Sequence, residues 1–156
     1  MNDQKGKDEM SDQLAVYDET PRDMAAPVVE ASLINTCDLS TRAGKIASAK
    51  ALTGAQSLSD VPEGTVLDVR DIITTPGVRK SRDPRLPNTP CINTYIIDTE
   101  GKSYMSQSEG IAQSAALLAA TFPDMGKGDA EGCVPVYVQV TPLDGGKTYK
   151  TLVPAE

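Results

Sequence analysis

The 156-residue chain has no histidine and no tryptophan, one phenylalanine, five tyrosines and three cysteines. Without histidine there is no His-based catalytic triad, no His-ligated zinc and no imidazole acid–base chemistry. No apolar run comes near the ~20 residues of a membrane-spanning helix, so no membrane partner is expected. The first residues, Met1-Asn2-Asp3-Gln4-Lys5, lack the apolar stretch of a secretory signal, and a cytoplasmic location is expected. Cys37, Cys91 and Cys133 are odd in number and widely spaced, with no CxxC pair. That argues against a zinc knuckle or a thioredoxin-type centre and for small buried hydrophobes in a reducing compartment. No metal or cofactor is expected.

The formal charge is −7, which at first sight argues against a nucleic-acid partner. Its distribution changes that reading. Residues 1–30 hold eight acids against three bases, so they carry −5 of the total and leave −2 for the rest. Apolar residues there are sparse and aperiodic until Pro27-Val28-Val29, so residues 1–27 read as a disordered acidic arm, suited to docking a replication protein or competing with a polyanion. Residues 28–156 read as a single domain.

That domain opens with a candidate short strand, Leu33 to Cys37, followed by N-cap residues at 38–41 and a helix within 41–56. Ile46, Ala49 and Leu52 recur at helical spacing and are its expected buried stripe. From residue 62 the period becomes two. The region 64–74 reads as a strand with Leu67, Val69 and Ile73 on one face and Asp68 and Arg70 on the other. A Pro- and Arg-rich loop follows over 75–90. Residues 92–99 and 102–106 form a hairpin around Glu100-Gly101. Gln107 or Ser108 caps a helix with Ile111, Ala115, Leu118 and Phe122 on one stripe, ended by Pro123. Val134, Val136, Val138 and Val140 alternate with polar or small positions, and Asp144-Gly145-Gly146 turns into a last strand, 147–153.

The order strand–strand–strand–helix–strand–strand fits a mainly β fold, a five-stranded barrel of the oligonucleotide/oligosaccharide-binding (OB) type with an N-terminal strand and helix extension. A β-sandwich fragment and a ubiquitin-like roll are the competing topologies. By strand parity Tyr104, Tyr137 and Tyr149 point outward, while Tyr95 is ambiguous because Ile92, Ile96 and Ile97 fill both parities. An outward aromatic beside a cation suits single-stranded nucleic acid: the ring stacks on a base and the cation meets a phosphate. The 75–90 loop gathers Arg79, Lys80, Arg82 and Arg85 against Asp83 alone. Arg70, Lys102, Lys147 and Lys150 add cations along the strands. Duplex binding is not expected, since no helix is read as carrying a basic face. No carboxylate pair is spaced for acid–base work, and the GKG and GGK runs lack phosphate-loop spacing, so no enzymatic activity is expected.

Two stretches carry a family resemblance: the leader Ile34-Asn35-Thr36-Cys37-Asp38-Leu39-Ser40-Thr41 with Gly44-Lys45 and Ala55-Gln56-Ser57-Leu58, and the hairpin-to-helix run from Asn93 through Asp98-Thr99-Glu100-Gly101 and Ser106-Gln107-Ser108-Glu109-Gly110 to Ala112. Over about residues 33–153 the chain resembles small single-stranded DNA-binding proteins of bacterial phages and mobile elements. The resemblance implies a non-catalytic barrel that coats the displaced strand during replication in the host cytoplasm. Edge strands of small barrels commonly pair between subunits, which leaves a homo-oligomer open. The long basic loop and the acidic leader depart from the simpler members. Two other classes compete: a protein-interaction barrel acting as a replication adapter or inhibitor, and a carbohydrate-binding or virion-structural barrel.

Overall fold

The structure, a computed structural model, describes residues 33–126 and 132–155. The proposed acidic arm, 1–27, lies outside the described residues. The elements are α1 (Arg42–Gly54), β1 (Gln56–Ser57), a 3-10 turn (Leu58–Asp60), β2 (Leu67–Arg79), β3 (Thr89–Asp98), β4 (Ser103–Ser106), α2 (Glu109–Thr121), β5 (Val134–Pro142), a second 3-10 turn (Asp144–Gly146) and β6 (Thr148–Pro154). They build a curled, mixed, barrel-like sheet in the order β1-β4-β3-β2-β5-β6.

The sheet has six strands, where the sequence suggested five. The extra one is β1, which pairs in parallel with the outer edge of β4 through Gln56↔Tyr104 and Ser57↔Met105. All other pairings are antiparallel. The sheet therefore ends at β1 on one side and β6 on the other, with a seam between them. The expected strand at 33–37 shrinks to one bridge, Asn35↔Ile73, flanked by Thr36 N–H to Ile72 O at 3.0 Å and Thr74 N–H to Ile34 O at 2.7 Å. Strand β2 runs five residues past its expected end, because Thr75 to Arg79 pair with Thr89 to Asn93 and turn part of the basic loop into ladder.

A register shift between Val69 and Asp71 inserts one extra residue into β2 opposite β3. Such a bulge bends the strand and reverses the side-chain parity beyond it. Leu67 and Val69 therefore share the inner face with Ile72, and Ile73 turns to the outer face. This corrects the single-face reading of Leu67, Val69 and Ile73. The inner core joins these to Ile96, Val134, Val136, Val138 and Leu152, with Ile111, Ala115 and Leu118 of α2 packed over them. The outer core is smaller: Cys37, Ala51, Ile73 and Ile97, with Tyr95 against it.

Both helices are placed by small groups. Ser108 caps α2 by accepting from Ile111 N–H. Its stripe is buried as expected except at Phe122, which is 36% exposed because it follows the last helical residue and leaves the packed face. Helix α1 is capped by Thr41, whose Oγ1 accepts from Gly44 N–H at 3.0 Å. It buries Ser48 and Ala51 rather than the expected stripe, leaving Ile46 and Leu52 exposed. The cause is close approach. Ser103 Oγ donates to Ala51 O at 3.2 Å, and a Cβ on Gly44 would stand 1.8 Å from the Asp38 carbonyl oxygen. The helix is thus held close to the leader at Gly44 and to β4 at Ala51.

The leader is tied to β2 through buried Asp71. Thr36 Oγ1 donates to Asp71 Oδ1 at 2.9 Å and accepts from Ile72 N–H at 2.9 Å, while Arg70 Nε donates to Asp71 Oδ2 at 2.9 Å. Replacing Thr36 by Val strips Asp71 of one partner and leaves a strand N–H unpaired. Urea unfolding of Thr36→Val should show a loss of ~1–3 kcal/mol. A variant as stable as the parent would mean that this clamp does not anchor the leader.

Candidate nucleic-acid interface

The seam between the two sheet edges opens into a cavity of about 770 Å³. Four parts of the chain supply its walls: the turn after β1 (Ser57, Ser59), the β4-to-α2 junction (Ser106 to Gly110), the root of the β2–β3 loop (Arg79, Arg82), and the β5–β6 hairpin (Val140, Tyr149, Lys150). Three cations face two carboxylates, Glu63 and Glu109.

Arg79 is the last residue of β2, and its Nη2 donates to Gln107 O. Gln107 Nε2 in turn donates to Asn93 Oδ1 at 3.0 Å and to Val78 O at 3.3 Å. This chain of bonds holds the basic loop's root against the entry to α2. Arg82 is exposed and has no ion-pair partner among the described residues. Tyr149 is 38% exposed and its hydroxyl lies 3.2 Å from Gln113 Oε1, to which it donates. Its ring rests on the start of α2, where a Cβ on Gly110 would stand 2.8 Å from Tyr149 Cζ and 2.1 Å from Lys150 O. Only glycine lets β6 and α2 meet this closely. At one level of the inner face a polar row, Thr74, Thr94 and Ser106, crosses three strands. Ser106 reaches the cavity, whereas Thr94 Oγ1 is buried without a hydrogen-bond partner.

The structure gathers Tyr149, Arg79, Arg82 and Lys150 from the expected site and separates the others. Tyr104 is 8% exposed and belongs to the inner core. It stands directly opposite Ile96, so it must share that residue's inward face. The outward reading of Tyr104 is thereby overturned. Tyr95 is half-buried against the outer core. Tyr137 is half-buried on β5, on the face opposite the inward valines, and does not line the cavity. Arg70 is bound to Asp71. Arg85 donates to both carboxylate oxygens of Asp83 at 3.1 Å, and these bonds hold the Asp83 carboxyl below its usual range. Lys102 sits in the β3–β4 turn beside Glu100, at the opposite end of the ten-residue β3 from the partner of Arg79, about 30 Å along the strand. Lys80 and Lys147 are exposed on the loop and the turn adjoining the cavity.

Sequence reasoning missed two sets of residues. Gln107 and Ser106 were visible only as cap chemistry, and their place at the cavity depends on how β4 ends. Arg42, Lys45 and Lys50 are all exposed on α1, so a helix does carry a basic face, contrary to expectation. Among the described residues no group of three or more Cys, Asp or Glu is arranged to hold a metal ion, and no helix is long and apolar enough to cross a membrane. Comparison with family models, with curated proteins and with solved structures finds no match to this chain.

None of the three cysteines forms a disulfide; Cys37 and Cys91 are buried, and Cys133 is half-buried. Burial, with the Asp71 carboxylate beside it, pushes the Cys37 thiol up from 9.0 to about 11. Burial and the carboxylate of Asp68 push Cys133 up as well. Both shifts oppose thiolate formation at neutral pH and so oppose nucleophilic chemistry. The folded state keeps Cys37 protonated to a higher pH than the unfolded chain does. Its contribution to stability is therefore complete below the unfolded value and is lost as pH rises towards the folded one, between about 9 and 11. The stability difference between the parent and Cys37→Ala, followed by urea unfolding, should shrink across that interval. A difference that stays flat would show that the thiol is not perturbed.

Proposed function

We propose that the protein binds single-stranded DNA, with little regard to sequence, in the seam cavity. One observation carries the reading: the root of the basic loop and the Tyr149-Lys150 pair, 67 residues apart between Arg82 and Tyr149, converge on one opening. Arg79, Arg82 and Lys150 supply phosphate contacts. Tyr149, exposed and braced by Gln113, supplies a stacking surface for a base. The serines and Gln107 around the opening offer hydrogen bonds to sugar and base edges without imposing a sequence.

The strand connections support an OB-type assignment. Setting β1 aside, β2 pairs with β3 and β5, β3 pairs with β4, β5 pairs with β6, and α2 lies between β4 and β5 in the chain. OB barrels are partly open and bind oligonucleotides between the loop joining their first two strands and the loop joining their last two. Here those are the Arg-rich β2–β3 loop and the β5–β6 turn. On this reading the protein protects the displaced strand during phage or mobile-element replication in a bacterial cytoplasm and performs no chemistry, while the acidic arm recruits replication proteins.

Titration with a thymidine oligonucleotide, followed by tyrosine fluorescence, tests the proposal. Quenching that weakens with salt is expected, because bound cations release counterions from the strand. Tyr149→Ala should weaken binding by ~1–3 kcal/mol while leaving the fold intact. Tyr104→Ala should instead destabilise the fold by about 3 kcal/mol, as the loss of a buried aromatic does. No binding at low salt would overturn the proposal, and full affinity in Tyr149→Ala would remove that ring from the interface.

A further inference from the structure

Helix α1 is an unbroken run without a single acid, Arg42-Ala43-Gly44-Lys45-Ile46-Ala47-Ser48-Ala49-Lys50-Ala51-Leu52-Thr53-Gly54. Ser48 and Ala51 fix its inward side. At 100° per residue, Arg42 and Lys50 fall on the opposite side and Lys45 on the flank, and all three are exposed. None has an ion-pair partner among the described residues. A cationic face of three unpaired charges in a chain of net −7 is not a by-product of composition.

The C-terminal end of α1 is also close in the chain to the cavity wall. Helix α1 ends at Gly54, β1 follows at Gln56, and Ser57 and Ser59 are already cavity wall. The helix thus starts from the cavity rim and runs away from it. Lys50 lies one turn from the rim end, and Arg42 lies about 12 Å further along the axis. The helix has no aromatic residue, so it has nothing on which a base could stack.

We propose that the outer face of α1 is a second binding surface for the same strand, one that grips the sugar–phosphate backbone of nucleotides leaving the cavity and ignores their bases. The proposal rests on the single-strand reading of the cavity. It divides the footprint into two parts of different chemistry: a cavity that stacks and a helix that only neutralises charge. The three cations, spread over about 140° of the helix circumference, suit a polyanion that crosses the helix obliquely.

The test compares a short thymidine oligonucleotide with the same oligonucleotide extended at either end by abasic sugar–phosphate units. Binding to the full-length protein is followed by tyrosine fluorescence over a range of salt. In the parent, the extension at one end should tighten binding at least about tenfold at low salt and steepen the salt dependence by about 2 in log–log slope, the value for three phosphates on a single strand. In Arg42→Gln/Lys45→Gln/Lys50→Gln the short oligonucleotide should bind as in the parent, and the gain from extension should vanish. These side chains are exposed and unpaired, so the fold should survive; Lys50→Glu alone is the second variant, expected to reduce the same gain. An extension that gives no gain in the parent, or a gain unchanged in the variants, overturns the proposal and leaves the cavity reading standing. Failure of the short oligonucleotide to bind the parent overturns the cavity reading itself. Tighter binding of duplex than of the extended single strand, lost in the triple variant, would overturn the proposal in favour of a duplex-binding helix.

Discussion

The extra residue at Arg70 is the constraint on which the rest of the sheet depends. Before it, β2 faces the inner core through Leu67 and Val69 and pairs with β5. After it, the inward positions move by one, and Ile72 and Thr74 take over. The shift lets one strand serve two partners that diverge, and it turns Ile73 outward to meet the leader and α1. It also places Asp71 beside Thr36, where a buried carboxylate finds hydrogen-bond donors on two chain segments. A buried carboxylate without such donors would be strongly unfavourable, so the bulge and the clamp support each other. The bend that the bulge gives β2 adds to the curl of the sheet, at whose open seam the cavity lies.

Much of the architecture was legible because it obeys local rules. The alternation of Val134, Val136 and Val138 identifies β5 and its buried face correctly. Ser108 caps the helix it was expected to cap, and Ile111, Ala115 and Leu118 form its buried stripe. What failed depends on partners rather than on sequence pattern. A bulge leaves no mark in a run such as Val69-Arg70-Asp71-Ile72-Ile73, where apolar residues occupy both parities. Tyr104 could not be turned inward without the register of β3 against β4. The α1 stripe was misread because hydrophobic spacing takes the largest apolar residues as the buried ones. Here the constraint is closeness, which selects Ser48 and Ala51.

The expected site was legible in part for the same reason. Arg79, Arg82, Tyr149 and Lys150 belong to elements whose ends were roughly foreseen, and they meet. Lys102 was counted by composition and lies at the far end of its hairpin. Arg70 and Arg85 illustrate a further limit: a cation in a sequence is only a candidate until its neighbours are known, and both of these are matched to an aspartate next to them or two residues away. The net charge says little about any of this. Where the unpaired cations lie, along α1 and around the seam, is a property of the fold.

Strand β1 is only two residues long and joins the sheet through its outermost edge. Neither core depends on its ladder, since the inner one closes through α2 and the outer one through Ala51 and Cys37. The stretch that follows it, through the 3-10 turn and on to β2, forms one lip of the cavity while touching the inner core chiefly through Leu58 and Val61. Insertions between Pro62 and Val66, past these core contacts, would therefore reset the width of the aperture while the scaffold stayed the same. The width of the opening and the stability of the scaffold are set largely by separate parts of the chain, which leaves the lip free to diverge.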